Sequence, residues 1–299
     1  MIYLKRFTFP SREAETNFLH PPGEMRCNFD TLTHTGSFYP FHIFPNIGHV
    51  RTVSFETITI FYGGNGCGKT TALNVIAEKL HLKRDSLFNS GRFFSDFLDM
   101  CSYDEEAFRH YGQFLNQNSR IITSDDVFSF SMRQRNFNKQ LFKKTLDAAA
   151  EYKELIDGDP HLRSLDDYER WSARNKALKS KSAFLKRRLE QEATEHSNGE
   201  TAMLYFVERM EEEGLYLLDE PENSLSLENQ MKLAEFIENS ARFFNSQFII
   251  ATHSPIFLAL SGAKIYDLDN GFKVAGPWTK LRGVRLLYDF FKRHDAEFQ

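Results

Sequence analysis

The amino-acid sequence predicts an α/β protein with a parallel-sheet core, a small antiparallel sheet near the N-terminus and a mostly helical lobe. Three apolar runs with strand character, Thr57–Tyr62, Leu215–Leu218 and Gln247–Ala251, each end at a polar loop, and amphipathic helical patterns alternate with them. Strands that alternate with helices are typical of a parallel sheet covered on both faces. Between residues 82 and 196 the pattern changes to charged segments with aromatic residues at helical spacing, which predicts the separate lobe.

The boundaries of these parts follow from the same patterns. Residues 1–62 alternate short β-prone runs with turn residues such as Pro21-Pro22-Gly23, which predicts the antiparallel sheet. We therefore predict a core lobe made of residues 1–81 and 197–299, with residues 82–196 as the inserted helical lobe. Within that insertion only Arg120–Thr123 has strand character.

Composition indicates an ordinary soluble protein. Of the 299 residues, 41% are hydrophobic and 26% are charged, and the formal net charge of −4 does not indicate a nucleic-acid-binding surface over the whole molecule. The 30 phenylalanines predict a core rich in aromatic rings. Three scattered cysteines are too few for a disulfide framework or a four-ligand zinc site.

Location is predicted from the same residues. No apolar run follows Lys5 and Arg6, so we expect no secretory signal. The most apolar stretch, Phe248–Ala263, is interrupted by Thr252, His253, Ser254 and Pro255, and we therefore expect no membrane span and no membrane partner. The expectation is a cytoplasmic protein.

A glycine-rich loop between the first core strand and a predicted helix over about 69–80 indicates a triphosphate site. The loop reads Gly63-Gly64-Asn65-Gly66-Cys67-Gly68-Lys69-Thr70, the complete P-loop pattern, and Thr71 follows it. Glycines let successive backbone N–H groups surround phosphate oxygens at the positive end of a helix. Lys69 is predicted to reach the β- and γ-phosphates and Thr70 to ligate Mg²⁺, so ATP and Mg²⁺ are the expected cofactors. Cys67 stands where a small residue is required, and we expect its alkylation to block nucleotide binding.

Two carboxylates end the second core strand. Asp219 is predicted to hold the metal through water, and Glu220 to orient and polarise the water that attacks the γ-phosphate. After the third core strand comes His253, which is placed to contact the γ-phosphate. The predicted catalytic residues are therefore Glu220, His253 and Lys69, with Thr70 and Asp219 at the metal.

Beyond these motifs, the chain resembles the ATP-binding cassette (ABC) class of ATPases. The run His196-Ser197-Asn198-Gly199-Glu200 is similar to the ABC signature, Asn223-Ser224-Leu225-Ser226 stands at the D-loop position, and His253 stands at the switch-histidine position. The resemblance implies an ABC-type head in which Ser197, Asn198, Gly199 and Glu200 bind the γ-phosphate held on the P-loop of a second copy. ATP would then join a homodimer with shared sites.

Within this class, the wording of the motifs resembles short stand-alone bacterial ATPases related to RecF, SMC and OLD proteins. Such proteins are often encoded beside nucleases or other effectors, so the resemblance implies a nuclease or toxin-like partner and a role in antiviral defence or DNA repair. The residues that follow the signature, Thr201-Ala202-Met203-Leu204, differ from those usual in transporters. The nucleotide-binding subunit of a transporter remains the alternative.

One family position stays open. In SMC-like relatives a strand of the helical lobe ends in a glutamine that contacts the metal, whereas here Ser124 or Asp125 follows the run Arg120–Thr123 and Gln134 lies farther along. Any of the three is a candidate for this Q-loop position.

Three further helical segments are predicted. A basic stretch over 174–188 is interpreted either as a solvated helix face or as a surface that tracks nucleic-acid phosphates. Ser226 is predicted to cap a helix whose apolar stripe includes Leu227, Met231 and Ile237. The C-terminal helix, with an apolar face over 284–291, is predicted to pack on the core, and a docking helix for a partner is the alternative.

Overall fold

The structure, a computed structural model, describes most of the core and little of the inserted lobe. The described residues are 1–20, 38–44, 51–104, 118–134, 136, 198–210 and 213–298. The chain divides into one compact unit of Met1–Phe128 and Ala202–Gln299 and a second unit of Ser129–Thr201. In the second unit, residues 129–134 and 198–201 are helical. This division differs from the predicted boundaries at residues 82 and 196, which stay a prediction.

The described strands and helices follow one another as the alternating pattern predicts. The strands are β1 (Arg6–Thr8), β2 (Thr52–Ser54), β3 (Ile58–Tyr62), β4 (Ser102–Tyr103), β5 (Arg120–Thr123), β6 (Leu215–Asp219), β7 (Gln247–Ala251), β8 (Lys264–Asp267) and β9 (Lys273–Val274). The helices are α1 (Arg12–Leu19), α2 (Lys69–Lys79), α3 (Phe94–Asp99), α4 (Asn198–Arg209), α5 (Leu227–Phe243), α6 (Pro255–Leu258) and α7 (Arg282–Arg293). Among the described residues, no helix has the length and apolar character that a bilayer span requires.

The core is a six-stranded sheet in the order β5-β6-β7-β3-β8-β9. Its first five strands are parallel, and β9 pairs antiparallel with β8 at the edge. Every residue of β3, β6 and β7 is buried, which explains why these strands are uninterrupted apolar runs. The parallel core is confirmed. The predicted strand Arg120–Thr123 is also present, as β5 at one edge of this sheet.

A second sheet is antiparallel and has the order β2-β1-β4, which confirms the smaller sheet. Its third strand, β4, comes from a region for which we predicted helices. Phe7, Phe9, Phe44, Phe61 and Phe272 are all buried, and neighbouring rings among them lie 4.9–5.9 Å apart. The aromatic core expected from the phenylalanine content is therefore present beside the P-loop strand.

Helix α5 begins as predicted but buries a different face. The Ser226 hydroxyl accepts a hydrogen bond from the Asn229 N–H, so the N-cap is confirmed. The buried residues are Gln230, Leu233, Ile237 and Ser240, whereas the predicted stripe residues Leu227 and Met231 are 71% and 63% exposed. The predicted stripe is therefore right at Ile237 and wrong at Leu227 and Met231, because Gln230 is buried as a hydrogen-bonding residue and an apolar pattern cannot indicate such a residue.

Helix α7 also differs from the prediction. Only Val284 of this helix is buried, and Leu286, Leu287, Tyr288, Phe290 and Phe291 are exposed to 42–62%. The Gly283 N–H donates to the Tyr62 hydroxyl at 2.9 Å, so the first turn is anchored on the core. The rest of the helix does not pack on the described core, and that expectation was wrong.

Candidate functional site

The loops that follow three adjacent strands meet at the carboxyl edge of the core sheet. Strand β7 lies between β6 and β3, with Asp219 in register with Ala251. The loop after β3 is the P-loop, β6 leads into Glu220, and β7 leads into His253. Crevices at the carboxyl ends of parallel strands are the usual ligand sites of such sheets. The predicted P-loop, acidic pair and switch histidine are therefore brought to one edge.

The P-loop has the conformation needed to bind phosphate. Gly68, with φ of 98°, precedes the first residue of α2, and a Cβ atom there would lie 3.0 Å from side-chain atoms of Ile43 and Phe44. The Lys69 ammonium donates to the carbonyls of Gly63 and Gly64 at 3.0 and 3.1 Å. The backbone N–H groups at the start of α2 and the buried ammonium together make a positive site for anions.

Cys67 fills space inside this loop. A Cβ atom added to Gly63 would lie 2.5 Å from the Cys67 Sγ, so the thiol occupies the room that a side chain at position 63 would need. Burial raises the pKa of the Cys67 thiol, and the charge of Lys69 partly opposes that effect. The thiol is therefore a packed, weakly reactive group.

A cavity of about 400 Å³ lies beside the loop. It is lined by Ile43, Asn65, Gly66, Gly68, Lys69, Thr70, Thr71 and Glu220. Six of these eight were predicted to bind nucleotide and a seventh, Glu220, to act on it. The exception, Ile43, comes from the segment 38–44, and its apolar side chain is the only one of that kind in the lining. The residues present fit a triphosphate whose base or sugar meets an apolar surface.

The oxygens that suit a magnesium ion also lie together. The Thr70 hydroxyl donates to Asp219 Oδ1 at 3.0 Å. Burial raises the pKa of Asp219 to about 7, while the Thr70 hydrogen bond opposes the shift and the neighbouring Glu220 charge adds to it. Hydroxyl and carboxylate oxygens are the ligand types that Mg²⁺ prefers. A divalent cation here would supply the charge that a buried, ionised Asp219 lacks.

Glu220 has a strained backbone at the mouth of the cavity. It is in the left-handed region, with φ of 47° and ψ of 54°, which is unfavourable for a residue with a side chain. Its Oε1 lies 3.5 Å from the Lys69 ammonium and its Oε2 accepts from the Asn223 amide at 2.9 Å. The side chain is 24% exposed, so solvent water reaches it. The turn thus places the Glu220 carboxylate beside the Lys69 ammonium at the cavity.

His253 is half-exposed and is supported from below by a buried glutamate. Its backbone N–H donates to Glu222 Oε1 at 2.9 Å, and its Nδ1 lies 3.3 Å from the same oxygen. Its position between the acidic pair and the P-loop follows from the strand order. The arrangement leaves the other side of the ring available to a ligand.

The signature residues are described only in part. Ser197 lies outside the described residues, and Asn198, Gly199 and Glu200 form the first turn of α4, where the structure describes the backbone alone. Farther along α4, the Tyr205 hydroxyl donates to Asp85 Oδ2 at 2.8 Å and Arg209 contacts the same oxygen at 3.1 Å. The C-terminal half of the signature helix is therefore anchored in the core, and the signature contacts stay predictions.

The Q-loop candidates lie in different units. Thr123 pairs with Asp219, so Ser124 and Asp125 directly follow the strand beside the acidic pair. Ser124 is half-buried and Asp125 is exposed, whereas Gln134 belongs to the second unit. All three residues stay candidates for the Q-loop position.

Three contributors to this edge were not predicted from the sequence. Ile43 comes from a segment with no motif, Asp269 accepts from the Gly64 N–H at 3.0–3.1 Å through both oxygens, and Glu222 supports His253. The carboxylate after the acidic pair was the one signal that could have indicated Glu222.

Comparison with known proteins agrees with this geometry. The family model described as "ABC transporter" matches residues 51–223, which span the P-loop, the signature and the acidic pair. No curated protein matches the chain.

Solved structures show similarity at low identity. The Smc head domain from Pyrococcus furiosus with an extended coiled coil, bound to the C-terminal domain of ScpA, is 14% identical with a TM-score of 0.44, and the match covers 97% of this chain and 100% of that one. The SMC head domain from Thermotoga maritima is 14% identical with a TM-score of 0.38, covering 92% and 98%. A nucleotide-free ATP-binding cassette from an ABC transporter is 16% identical with a TM-score of 0.37, covering 83% and 92%.

Proposed function

The chain belongs to the ABC transporter family of ATP-binding and ATP-hydrolysing proteins, and from this premise we propose that it is an ATP-dependent switch that closes as a homodimer. In this proposal the nucleotide site described above is one half of a composite site. The other half is the signature of a second copy. The observation that carries the proposal is the strained Glu220 turn, which directs a carboxylate into the phosphate cavity beside Lys69.

The phosphate-binding half of the mechanism follows from the P-loop. The Lys69 ammonium, now shared between two carbonyls, would turn to the β- and γ-phosphate oxygens, which are stronger acceptors. Thr70 and Asp219 would hold Mg²⁺, which neutralises charge on the phosphates. Thr71 and the N–H groups of Asn65, Gly66, Cys67 and Gly68 complete the cradle.

The hydrolytic step depends on Glu220. Its carboxylate orients a water molecule in line with the γ-phosphorus and accepts a proton as the new P–O bond forms and the bond to ADP breaks. The Asn223 amide, 2.9 Å from Oε2, limits rotation of the carboxylate. The products are ADP and phosphate, and His253 would contact the phosphate until it leaves.

Dimerisation is supported by the openness of the single-chain site. Gly64, Asn65, Gly66 and Thr70 are exposed, so one copy leaves a bound triphosphate accessible to solvent on one side. Stabilisation of phosphoryl transfer is strongest where water is excluded. The signature of the second copy, with Ser197, Asn198, Gly199 and Glu200 at the start of a helix, is suited to cover the γ-phosphate.

The test is Glu220→Gln. We expect this variant to bind ATP, to lose turnover by about 100- to 10,000-fold because a general base is removed, and to elute as an ATP-dependent dimer in gel filtration. Glu228→Gln is the matched control, since Glu228 is exposed and pairs with the exposed Lys232 at 2.7 Å. Ser197→Arg should keep ATP binding and abolish the dimer. A Glu220→Gln protein that stays monomeric with saturating Mg-ATP would contradict the switch.

We further propose that an effector or a nucleic acid reads the dimer state, as the family resemblance implies for defence or repair proteins of the cytoplasm. The basic stretch 174–188 lies outside the described residues. Neutralising Lys186, Arg187 and Arg188 together should remove any salt-dependent stimulation of ATP turnover by DNA. Unchanged stimulation would exclude this surface, and co-purification with a nuclease would identify the effector class.

The second candidate is the nucleotide-binding subunit of a transporter, which the name of the matched family favours. Such a subunit should co-purify with a membrane protein from detergent extracts. Retention of Glu220→Gln protein in the membrane fraction with ATP would support the transporter, and stimulation by DNA without such retention would support the switch.

A further inference from the structure

We infer that Glu222 is the positioning residue for His253, holding the imidazole so that Nδ1–H faces the carboxylate and Nε2 faces the γ-phosphate. The inference rests on the proposed function, in which His253 contacts that phosphate. Glu222 is not part of the P-loop, the acidic pair or the signature. It would act through the histidine and would not touch ATP.

One oxygen of Glu222 contacts three successive residues of the loop after β7, Thr252–Ser254, which we call the switch loop. Its Oε1 accepts hydrogen bonds from the Thr252 hydroxyl at 2.7 Å, the His253 N–H at 2.9 Å and the Ser254 N–H at 3.2 Å. The same oxygen lies 3.3 Å from His253 Nδ1. Glu222 is 8% exposed, so these bonds form where water does not compete for the charge. A carboxylate with this set of donors fixes the backbone on which His253 stands.

The support is closed from a third element. Gln230 of α5 donates through Nε2 to the carbonyls of Leu225 and Glu222 at 3.1 and 3.4 Å, and its Oε1 accepts from the Ser254 hydroxyl at 2.9 Å. The turn Pro221–Ser224, the start of α5 and the switch loop are therefore held by one buried network. These hydrogen bonds hold the His253 backbone in position at the carboxyl edge of the sheet.

The carboxylate also decides which ring nitrogen carries hydrogen. A histidine tautomer is set by the hydrogen bond of its other nitrogen, and an oxygen that already bears negative charge favours a donor at Nδ1. Nε2 is then turned away from Glu222. A phosphate oxygen at Nε2 needs a donor as well, so the ATP-bound ring would donate through both nitrogens with Glu222 as its counter-charge.

The second oxygen of Glu222, Oε2, could accept a further hydrogen bond. Among the described residues, Oε2 is buried and has no hydrogen-bond partner. A buried charged acceptor without a donor is costly. His253 Nδ1 already lies 3.3 Å from Oε1 of this carboxylate, so a small shift of the ring when ATP binds would also bring Nδ1–H toward Oε2.

The position of Glu222 also links two loops. It lies within Pro221–Ser224, together with Asn223 and Ser224 of the D-loop position that would face the second copy. Movement of this turn on dimer closure would move the carboxylate under His253. The γ-phosphate contact would therefore form in step with the partner's approach.

The test combines a spectrum with a double-mutant cycle. In the wild-type protein, ¹⁵N NMR of labelled histidines should show neutral His253 as the Nδ1–H tautomer, and Glu222→Gln should shift it toward the Nε2–H form. Glu222→Gln should lower ATP turnover about 10-fold or more at unchanged ATP affinity, as loss of an orienting carboxylate usually does. In a His253→Ala background the same substitution should have no further effect.

Several outcomes separate this inference from the switch itself. Glu222→Gln is nearly isosteric, and its melting temperature beside that of Glu228→Gln checks that it folds. Two results would overturn the role of Glu222: a His253 tautomer that Glu222→Gln does not shift, or a loss of ATP turnover in the double variant equal to the product of the two single losses. Neither result would contradict the proposed ATP turnover and dimerisation. Failure of the proposed function would appear differently, as turnover that Glu220→Gln does not reduce.

Discussion

The carboxyl edge of the core sheet buries charged groups, whereas the C-terminal helix α7 exposes apolar groups. Both are departures from the usual distribution of side chains in a folded protein. At the sheet edge, Lys69, Asp219 and Glu222 are charged groups with at most 8% exposure, and each bonds to neighbours in the same chain. On α7, Leu286 and Phe290 are apolar groups with 62% and 47% exposure. Charged residues are rarely buried and large apolar faces are rarely exposed, so both regions are informative.

The two regions differ in what surrounds these groups. The buried groups are held by hydrogen bonds within the chain, which fixes their positions before a ligand arrives. The apolar face of α7 is not covered by the described core, while Arg282, Arg285, Lys292 and Arg293 follow the opposite side of the helix. The candidate phosphate site is therefore formed by contacts within this chain, whereas the described residues leave the apolar face of α7 uncovered.

The largest expected effect tests the buried charge. Lys69→Met removes the cation that holds the Gly63 and Gly64 carbonyls and would hold the phosphates. We expect ATP affinity to fall by about 100-fold or more, since hydrogen bonds to charged groups are each worth about 1.5–3 kcal/mol. Isothermal titration with Mg-ATP measures it. Lys232→Met, on an exposed pair, is the control, and equal affinity in both variants would contradict the site.

A pair of phenylalanines tests burial directly. Phe97→Ala empties a fully buried position between Phe41 and Phe44 and should cost about 3–5 kcal/mol of unfolding free energy. Phe290→Ala on α7 should cost less than about 1 kcal/mol, as substitutions away from the core do. Urea unfolding of both variants gives the comparison. A large loss at Phe290 would mean that α7 is covered in solution.

Asp219→Asn tests the cost of the buried carboxylate without ligand. Its pKa is raised from 3.8 to about 7 in the folded protein, so protonation favours the folded state and the stability it gives is lost as pH rises toward 7. Relative to wild type, Asp219→Asn should therefore become more stable as pH increases from 4 to about 7, with a constant difference above that. Thermal melts without nucleotide or metal measure this. A pH-independent difference would show that Asp219 is not desolvated.

The smallest expected effect concerns Cys67. Cys67→Ser should keep ATP affinity within about three-fold, since both side chains are small and the residue fills space beside Gly63. Alkylation of the wild-type thiol should be slow because burial raises its pKa, and should block ATP binding once complete. Bound ATP should protect the thiol. Full activity after stoichiometric alkylation would contradict its place in the loop.

Local patterns determined the motifs and the strands that carry them. The P-loop, the acidic pair and His253 each follow a short apolar run typical of a strand buried on both faces, and β3, β6 and β7 are buried along their whole lengths. The N-cap at Ser226 was likewise local, because a cap depends on residues within one turn. Such features were predictable because their physics does not depend on distant residues.

Only the tertiary structure decided which residues meet those motifs. Ile43 reaches the cavity, Asp269 reaches Gly64, and Glu222 lies under His253 through strand order and register, which join positions tens to hundreds of residues apart. The buried face of α5 was set by Gln230, a polar residue whose burial depends on partners in two other loops. The spacing of apolar residues along a helix indicates which face is buried on average. It cannot indicate a hydrogen bond that buries one polar residue, as at Gln230.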